Sequence, residues 1–422
     1  MGAKRERYTP NDVGPSPLEW GAPRLSEVSI LITNGFVGTA TPFYTDNTGV
    51  PYLYGTNVRA NKLELDTVRY ITQEFHEAQS KTALKPGDLL TVQSGHIGET
   101  AVVTSQLDGA NCHALIVTRL KKEKANPEFL SYYINSEIGR ARMRGLEVGS
   151  TILHINTKDL KKFRVLLPSI PEQKKIAQIL STWDKAITTT EQLLANSQQQ
   201  KKALMQQLLT GKKRFPGFEG VWKKYTLGEL GNTFNGLTGK TKEDFGFGKK
   251  YIPYINIFKN SRIDVRALEL VDVNEGESQS LSQYGDIFFT TSSETPDEVG
   301  MSSVLLDHVD ELYLNSFCFG YRLFGFESLH PEFASYLLRS EHVRGEIAVL
   351  GQGATRYNLS KKQLMKLKLT LPPVDEQKKI ASVLSDADQE IGSLQSQLEG
   401  LKQEKKALMQ QLLTGKRRVT LN

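Results

Sequence analysis

The chain has 422 residues, 39% of them apolar and 24% charged, a composition that suits two to four globular domains at ~100–200 residues each and excludes wholesale disorder. No run approaches the ~20 apolar residues of a membrane-spanning helix, and the start, Met1-Gly2-Ala3-Lys4-Arg5-Glu6-Arg7, lacks a signal-peptide core and has Glu6 where N-myristoylation needs Ser or Thr, so a cytoplasmic address is expected. Lysine and arginine number 53 against 47 acidic residues, and a formal charge of +6 permits phosphate binding without requiring it.

In chain order, an arm over residues 1–19 leads to a globular part over 20–167. Short apolar runs bounded by Gly, Pro, Asp and Asn, at 85–90, 100–104 and 113–120, read as strands. Residues 127–144 start with proline and space Phe, Tyr and Ile at three and four, which predicts a helix. A first long helix follows over 168–211, then a linker over 212–221. A second globular part spans 222–371, with strands predicted at 285–289 and 301–306 and a helix at 331–349. A second long helix over 372–415 and a basic tail over 416–422 complete the chain. The fold class is α+β, two strand-rich bodies joined to two long helices, with the strand pairing order left open. Cys112 and Cys318 sit in apolar-leaning stretches and read as buried thiols, not as a disulfide scaffold or zinc site.

A repeat organises this layout. Pro171-Glu172-Gln173-Lys174-Lys175-Ile176-Ala177 returns as Asp375-Glu376-Gln377-Lys378-Lys379-Ile380-Ala381, and Lys201 to Lys212 returns verbatim as Lys405 to Lys416. Both give an offset of 204, from Glu172 to Glu376 and from Lys201 to Lys405. The offset does not drift, as a rigid element of fixed length requires. Upstream, Trp20 matches Trp222 and Gly87-Asp88 matches Gly285-Asp286 at offsets of 202 and 198, with most intervening residues different. The unit is far longer than a solenoid repeat, so the chain is a duplicated domain pair.

The repeated tails carry heptads. Ile380, Leu384, Ile391, Leu394, Leu398, Leu401, Leu408 and Leu412 form one seam, with Ala387 and Lys405 on it; Ile176, Leu180, Trp183, Ile187, Leu194, Leu204 and Leu208 form the other, interrupted by Thr190, Ser197 and Lys201. Prolines precede each run, and Gly211 and Gly415 end them. A helix of ~40 residues is ~60 Å long at 1.5 Å per residue and needs a partner for its stripe. Side-by-side, antiparallel and interchain pairing all bury it. Antiparallel pairing within the chain is favoured because it makes the molecule pseudo-symmetric. Lys201 and Lys405 are then expected to be offset and to reach the rim.

Catalytic motifs do not emerge. Phosphate-loop, His-Glu-x-x-His and dinucleotide fingerprints are missing, as is the Asn-Pro-Pro-Tyr tetrapeptide that holds a flipped adenine. Lys62-Leu63-Glu64 and Lys242-Glu243-Asp244 have nuclease-like residue types without a strand context for Mg²⁺, and read as solvated charge. Binding remains. Candidate phosphate contacts are Lys240, Lys242, Lys249, Lys250, Lys259 and Arg262, with Arg140, Arg142 and Arg144 in the first half, although each taken singly suits a solvated face. Loops carrying Gln93, Ser94 and His96, then Ser150, Thr151 and His154, and in the second half Thr291, Ser292 and Ser293, then Arg356, Tyr357 and Asn358, are dense in groups able to bond base edges. Their corresponding positions in two duplicated domains set them apart from ordinary polar loops.

The order of variable domain, Leu-Pro-x-x-x-Glu-Gln-x-x-Ile-Ala-x-Ile-Leu, heptad helix, variable domain and helix closely resembles the specificity subunit of Type I restriction-modification systems. The motif stands as Leu167-Pro168-Ser169-Ile170-Pro171-Glu172-Gln173-Lys174-Lys175-Ile176-Ala177-Gln178-Ile179-Leu180 and again, with Val383 for the second Ile, from Leu371 to Leu384. The likeness covers nearly the whole chain. It implies that 20–167 and 222–371 are target-recognition domains, each reading half of a split DNA site. It also implies that the helices form an antiparallel rod fixing the gap, with half-sites about one helical turn, ~34–36 Å, apart. Two methyltransferase subunits using S-adenosylmethionine, and a restriction and translocase subunit using ATP with Mg, are the implied partners, with no cofactor held by this chain and no reaction of its own. The competing readings are a protein-interaction scaffold with duplicated domains on a spacer and, behind it, a stand-alone DNA-cutting enzyme.

Overall fold

A computed structural model describes residues 8–9, 16–147, 153–353 and 356–421. The chain forms two compact units, Met1–Glu191 with Ser396–Asn422 and Gln192–Gln395, so each unit holds one head and part of both long helices.

In the first unit, β1 (Ser29–Asn34), β2 (Tyr44–Thr45), β3 (Val50–Leu53), β4 (Arg69–Ile71), β5 (Leu89–Val92), β6 (Thr100–Val102), β7 (Asn111–Cys112) and β8 (Leu115–Leu120) build two sheets. One is antiparallel in the order β6-β5-β8-β1; the other runs β7-β3-β4-β2 with β7 parallel to β3. All four residues of β5 are buried, so 89–92 shows no alternation of apolar and polar residues, and its one polar side chain, Thr91, bonds Thr100 at 3.0 Å. The turn before it is set by Gly87 at φ +90° and by Asp88, whose carboxylate accepts from the Lys85 amide at 2.8 Å and grips Arg119 of β8 at 2.9 and 2.7 Å. Cys112 is buried, and burial pushes its thiol up to about 12.

The single helix expected over 127–144 is two, α1 (Pro127–Asn135) and α2 (Glu137–Arg144). Ser136 makes the break: its backbone is extended, its hydroxyl donates to the Tyr133 carbonyl at 2.6 Å and accepts from the Gly139 amide at 3.1 Å, capping α2. The first long helix, α3, spans Ile170–Leu208.

The second head repeats the plan. β9 (Gly231–Asn235), β10 (Phe245–Ile252), β11 (Glu269–Val271), β12 (Ile287–Thr290), β13 (Ser292–Ser293), β14 (Ser302–Val304), β15 (Tyr313–Leu314), β16 (Cys318–Leu323) and β17 (Tyr357–Leu359) are its principal strands. The core sheet runs β9-β16-β12-β14, the first unit's order, and a second sheet runs β11-β10-β15 with β15 parallel to β10. Gly285 at φ +87° and Asp286, bonded to Arg322 at 2.8 and 2.6 Å, repeat the turn. The helix expected over 331–349 also divides, into α4 (Pro331–Leu337) and α5 (Glu341–Val349), with Ser340 capping the second. The second long helix, α6, spans Val374–Leu412.

Within the first unit, α3 and α6 run antiparallel, because partners fall along one as they rise along the other: Asp184 pairs with Lys405 and Glu191 with Lys402. Within the second, Ser197 meets Glu390 and Lys201 meets Asp388. The seam is buried unevenly. Ile176, Leu180 and Leu412 belong to the first head's core, and Leu208, Ile380 and Leu384 to the second's. Trp183, Ile187, Leu194, Leu204, Ile391, Leu394, Leu398, Leu401 and Leu408 are half-buried. The apolar helix ends therefore serve as part of each head's core, and polar pairs carry more of the middle.

Candidate nucleic-acid interface

The Glu-Gln pair of the repeated motif anchors head to helix. Gln377, fully buried, accepts from the His330 amide at 2.9 Å and donates to the carbonyls of Ser328 and Pro372 at 2.8 and 2.9 Å. Gln173 does the same with Asn126 and with the carbonyls of Lys124 and Pro168. Glu376 holds Arg214 through two bonds of 2.9 and 2.7 Å, and Glu172 holds Arg418 at 2.6 and 2.9 Å. Arg418 also reaches Glu19 at 2.6 Å. The stretch expected to be a basic tail is thus docked at this arginine.

Farther along, the Tyr336 hydroxyl donates to Asp388 at 2.8 Å, and Lys201 bonds the same carboxylate while lying 5.5 Å over the Tyr336 ring. Tyr132, Asp184 and Lys405 form the equivalent cluster in the first unit. Burial first, and the neighbouring carboxylate second, push both tyrosines above their ordinary range. Lys201 and Lys405 were singled out from sequence, but their partners Asp388 and Asp184 and the tyrosines beside them were not, although Tyr132 and Asp184 recur at the offset of 204.

The polar loops come together in pairs. Ser94 bridges to His154, and the Ile155 amide donates to the Gln93 carbonyl at 2.9 Å. In the second unit β13 pairs with β17, Ser292 opposite Asn358 and Ser293 opposite Tyr357, and the Leu359 amide donates to the Thr291 carbonyl at 2.8 Å. Each head therefore presents a small polar patch from two segments distant in sequence. Ser94, His96, His154, Arg356 and Asn358 are exposed; Gln93, Thr291, Ser292 and Tyr357 are half-buried. Ser293 is buried and bonds Glu298 at 3.3 Å. Ser150 and Thr151 lie outside the described residues.

The proposed phosphate contacts separate into two kinds. Arg144, Lys242, Lys250 and Lys259 are exposed. The others are committed to the protein itself. Lys240, its side chain 6% exposed, pairs with Glu277 at 2.6 Å and holds that carboxyl down at about 2. Lys249 pairs with Glu311 at 2.5 Å. Arg262 bonds the Tyr336 hydroxyl at 2.6 Å and stacks 4.9 Å from its ring, and Arg142 bonds the Tyr133 hydroxyl at 2.7 Å. Arg140 donates to the Ile97 carbonyl. Residues tens of positions away supply several of these partners, so within the run around 240–250 Lys240 and Lys249 carry acidic partners while Lys242 and Lys250 are exposed. Among the described residues no group of three or more His, Cys, Asp or Glu could hold a metal ion, and no helix is long and apolar enough to cross a membrane.

Comparison with known proteins fits this duplicated plan. The family model described as Type I restriction modification DNA specificity domain matches residues 17–196 and 219–403. The putative type I restriction enzyme MjaX specificity subunit of Methanocaldococcus jannaschii is 26% identical over 450 residues, covering 99% of this chain and 98% of that protein. The EcoKI specificity subunit of Escherichia coli is 22% identical, covering 87% and 82%. Among solved structures, the HsdS subunit of Thermoanaerobacter tengcongensis (TM-score 0.52, 19% identity, 95% and 98% covered) and the S subunit of the Type-I restriction-modification system from M. genitalium (TM-score 0.56, 15% identity, 96% and 97% covered) share the fold. With two family domains matched across most of its length, the chain belongs to the Type I restriction-modification DNA specificity family.

Proposed function

We propose that this chain is the non-catalytic, sequence-reading subunit of a Type I restriction-modification complex: each head reads one half of a bipartite, asymmetric DNA site and the paired long helices set the gap. The supporting observation is that the two heads share strand order, turn chemistry and helix anchors yet present polar patches of different sequence. A common frame with unlike contact residues is what recognition of two unlike half-sites requires. Partner subunits carry the chemistry: two methyltransferase subunits that modify adenine at N6 with S-adenosylmethionine, and restriction subunits that use ATP with Mg. The assembly works in the cytoplasm.

The test is replacement of residues 20–167 by another family member's head, followed by mapping of methylated adenines in a host carrying the system. The first half-site should change while the second half-site and the gap persist. A change in both halves, or no bipartite site for the unaltered chain, refutes the reading.

A further inference from the structure

The hairpin loops β5–β6 and β12–β14 differ in length and sequence, whereas the clamp behind them keeps an arginine at the same place and an apolar residue three positions on. In the first unit α2 supplies Arg140, which donates to the Ile97 carbonyl, and Met143, whose side chain lies 3.2 Å from where a Cβ on Gly98 would stand. In the second unit α5 supplies Arg344 and Ile347, each 204 positions on. Arg344 donates to the carbonyls of Gly300, Asp297 and Val299 at 2.6, 2.9 and 2.7 Å, and Ile347 lies 2.7 Å from the Cβ position of Gly300. Both glycines close their loops in the left-handed region, Gly98 at φ +77° and Gly300 at φ +64°. Partial burial of the Arg344 guanidinium lowers its pKa, and the loop's carbonyl dipoles face its charge.

Bonds to main-chain oxygen are blind to side chains. A loop held this way can change its residues, and even its length, without losing its seat. The offset between the two halves shifts from 198 at β5 and β12 to 202 at β6 and β14, so the second unit has four more residues within this clamped loop. The same loops carry Ser94 and His96 in one head and Ser292 in the other.

We infer that Arg140 and Arg344 are positioning residues for DNA recognition, seating interchangeable loops, 93–99 and 291–301, whose side chains determine the half-site that each head reads. The inference rests on the proposed DNA-reading function and adds to it the element and the support that confer specificity.

The experiment uses the full chain co-expressed with its methyltransferase and restriction partners, reading adenine methylation across the host genome together with the thermal midpoint of the purified complex. Replacing 291–301 by 93–99 with Arg344 retained should change the bases methylated in the second half-site and leave the first half and the gap intact. The point variant Arg344→Met tests the clamp without exchanging the loop. It should lower discrimination against single mismatches about tenfold in the second half-site alone. Arg344→Lys should restore part of it, because one ammonium reaches fewer carbonyls. Arg140→Met should mirror the effect in the first half-site. Unchanged second-half bases after loop exchange, or loss of methylation in both halves at unaltered discrimination, overturns the inference while leaving the two-head function standing. No bipartite site for the unaltered chain overturns the function itself.

Discussion

Lys201 on the first long helix and Asp388 on the second meet at 2.5 Å, and Lys405 and Asp184 repeat the bond with the roles of the two helices exchanged. Each half of the sequence contributes one Lys and one Asp, and neither half pairs its own. Asp388 is 41% exposed and Lys201 24%, so solvent screens the charge; the Tyr336 hydroxyl on the same carboxylate adds a bond less open to water. Asp388→Ala is expected to destabilise the second unit by about 1–2 kcal/mol in urea unfolding, and Lys201→Met by less. In the double variant the penalties should fall short of additivity; strict additivity would show that the pair is not coupled.

Arg214 and Glu376 should be far more sensitive, because the Glu376 side chain is 1% exposed and receives both bonds of one guanidinium. Arg214→Ala leaves a buried carboxylate uncompensated, an expected loss of about 3–5 kcal/mol. Adding Glu376→Gln should recover part of that loss, and urea midpoints of the two variants measure it.

Gln377→Leu strands the His330 amide and the carbonyls of Ser328 and Pro372 inside the protein. A loss of about 2–4 kcal/mol is expected from these unsatisfied groups. Amide exchange at His330 should accelerate; unchanged protection there would mean that the glutamine does not anchor the head.

Glu277 provides a pH test with a defined sign. Lys240 and the surrounding donors hold its carboxyl at about 2, below the ordinary glutamate value of 4.5. A carboxyl depressed in the folded state stabilises the fold above the unfolded value and loses that contribution as pH falls toward 2. Carboxyl carbon shifts followed by NMR from pH 7 to 2 should show late protonation of Glu277, moving up in Lys240→Met.

Removing one or two turns within 181–200 of α3 should shorten or abolish the accepted gap between half-sites. Methylation mapping checks it, and an unaltered gap contradicts the role assigned to the long helices.

The legible parts of the molecule were those written locally. Gly87-Asp88 and Gly285-Asp286 mark tight turns because a left-handed glycine and a side chain that bonds the backbone three residues earlier act over a few positions. Helix breaks at Ser136 and Ser340 were masked by apolar spacing that continues across them, although a serine N-cap is a local signal too. The carboxylate partners of Lys240 and Lys249 were not legible, because Glu277 and Glu311 approach from segments tens of residues away.

By itself the sequence determined the duplication and the two heptad helices, since a fixed offset and a seven-residue period are properties of order along one chain, and it left the direction of helix pairing as a preference. Tertiary structure alone decided that Lys405 belongs to Asp184, that Arg418 belongs to Glu172, and that Arg140 and Arg344 seat the two hairpin loops. Those pairings join groups far apart in the chain, and a charge or donor carries no mark of its partner until packing excludes water and brings one acceptor within reach.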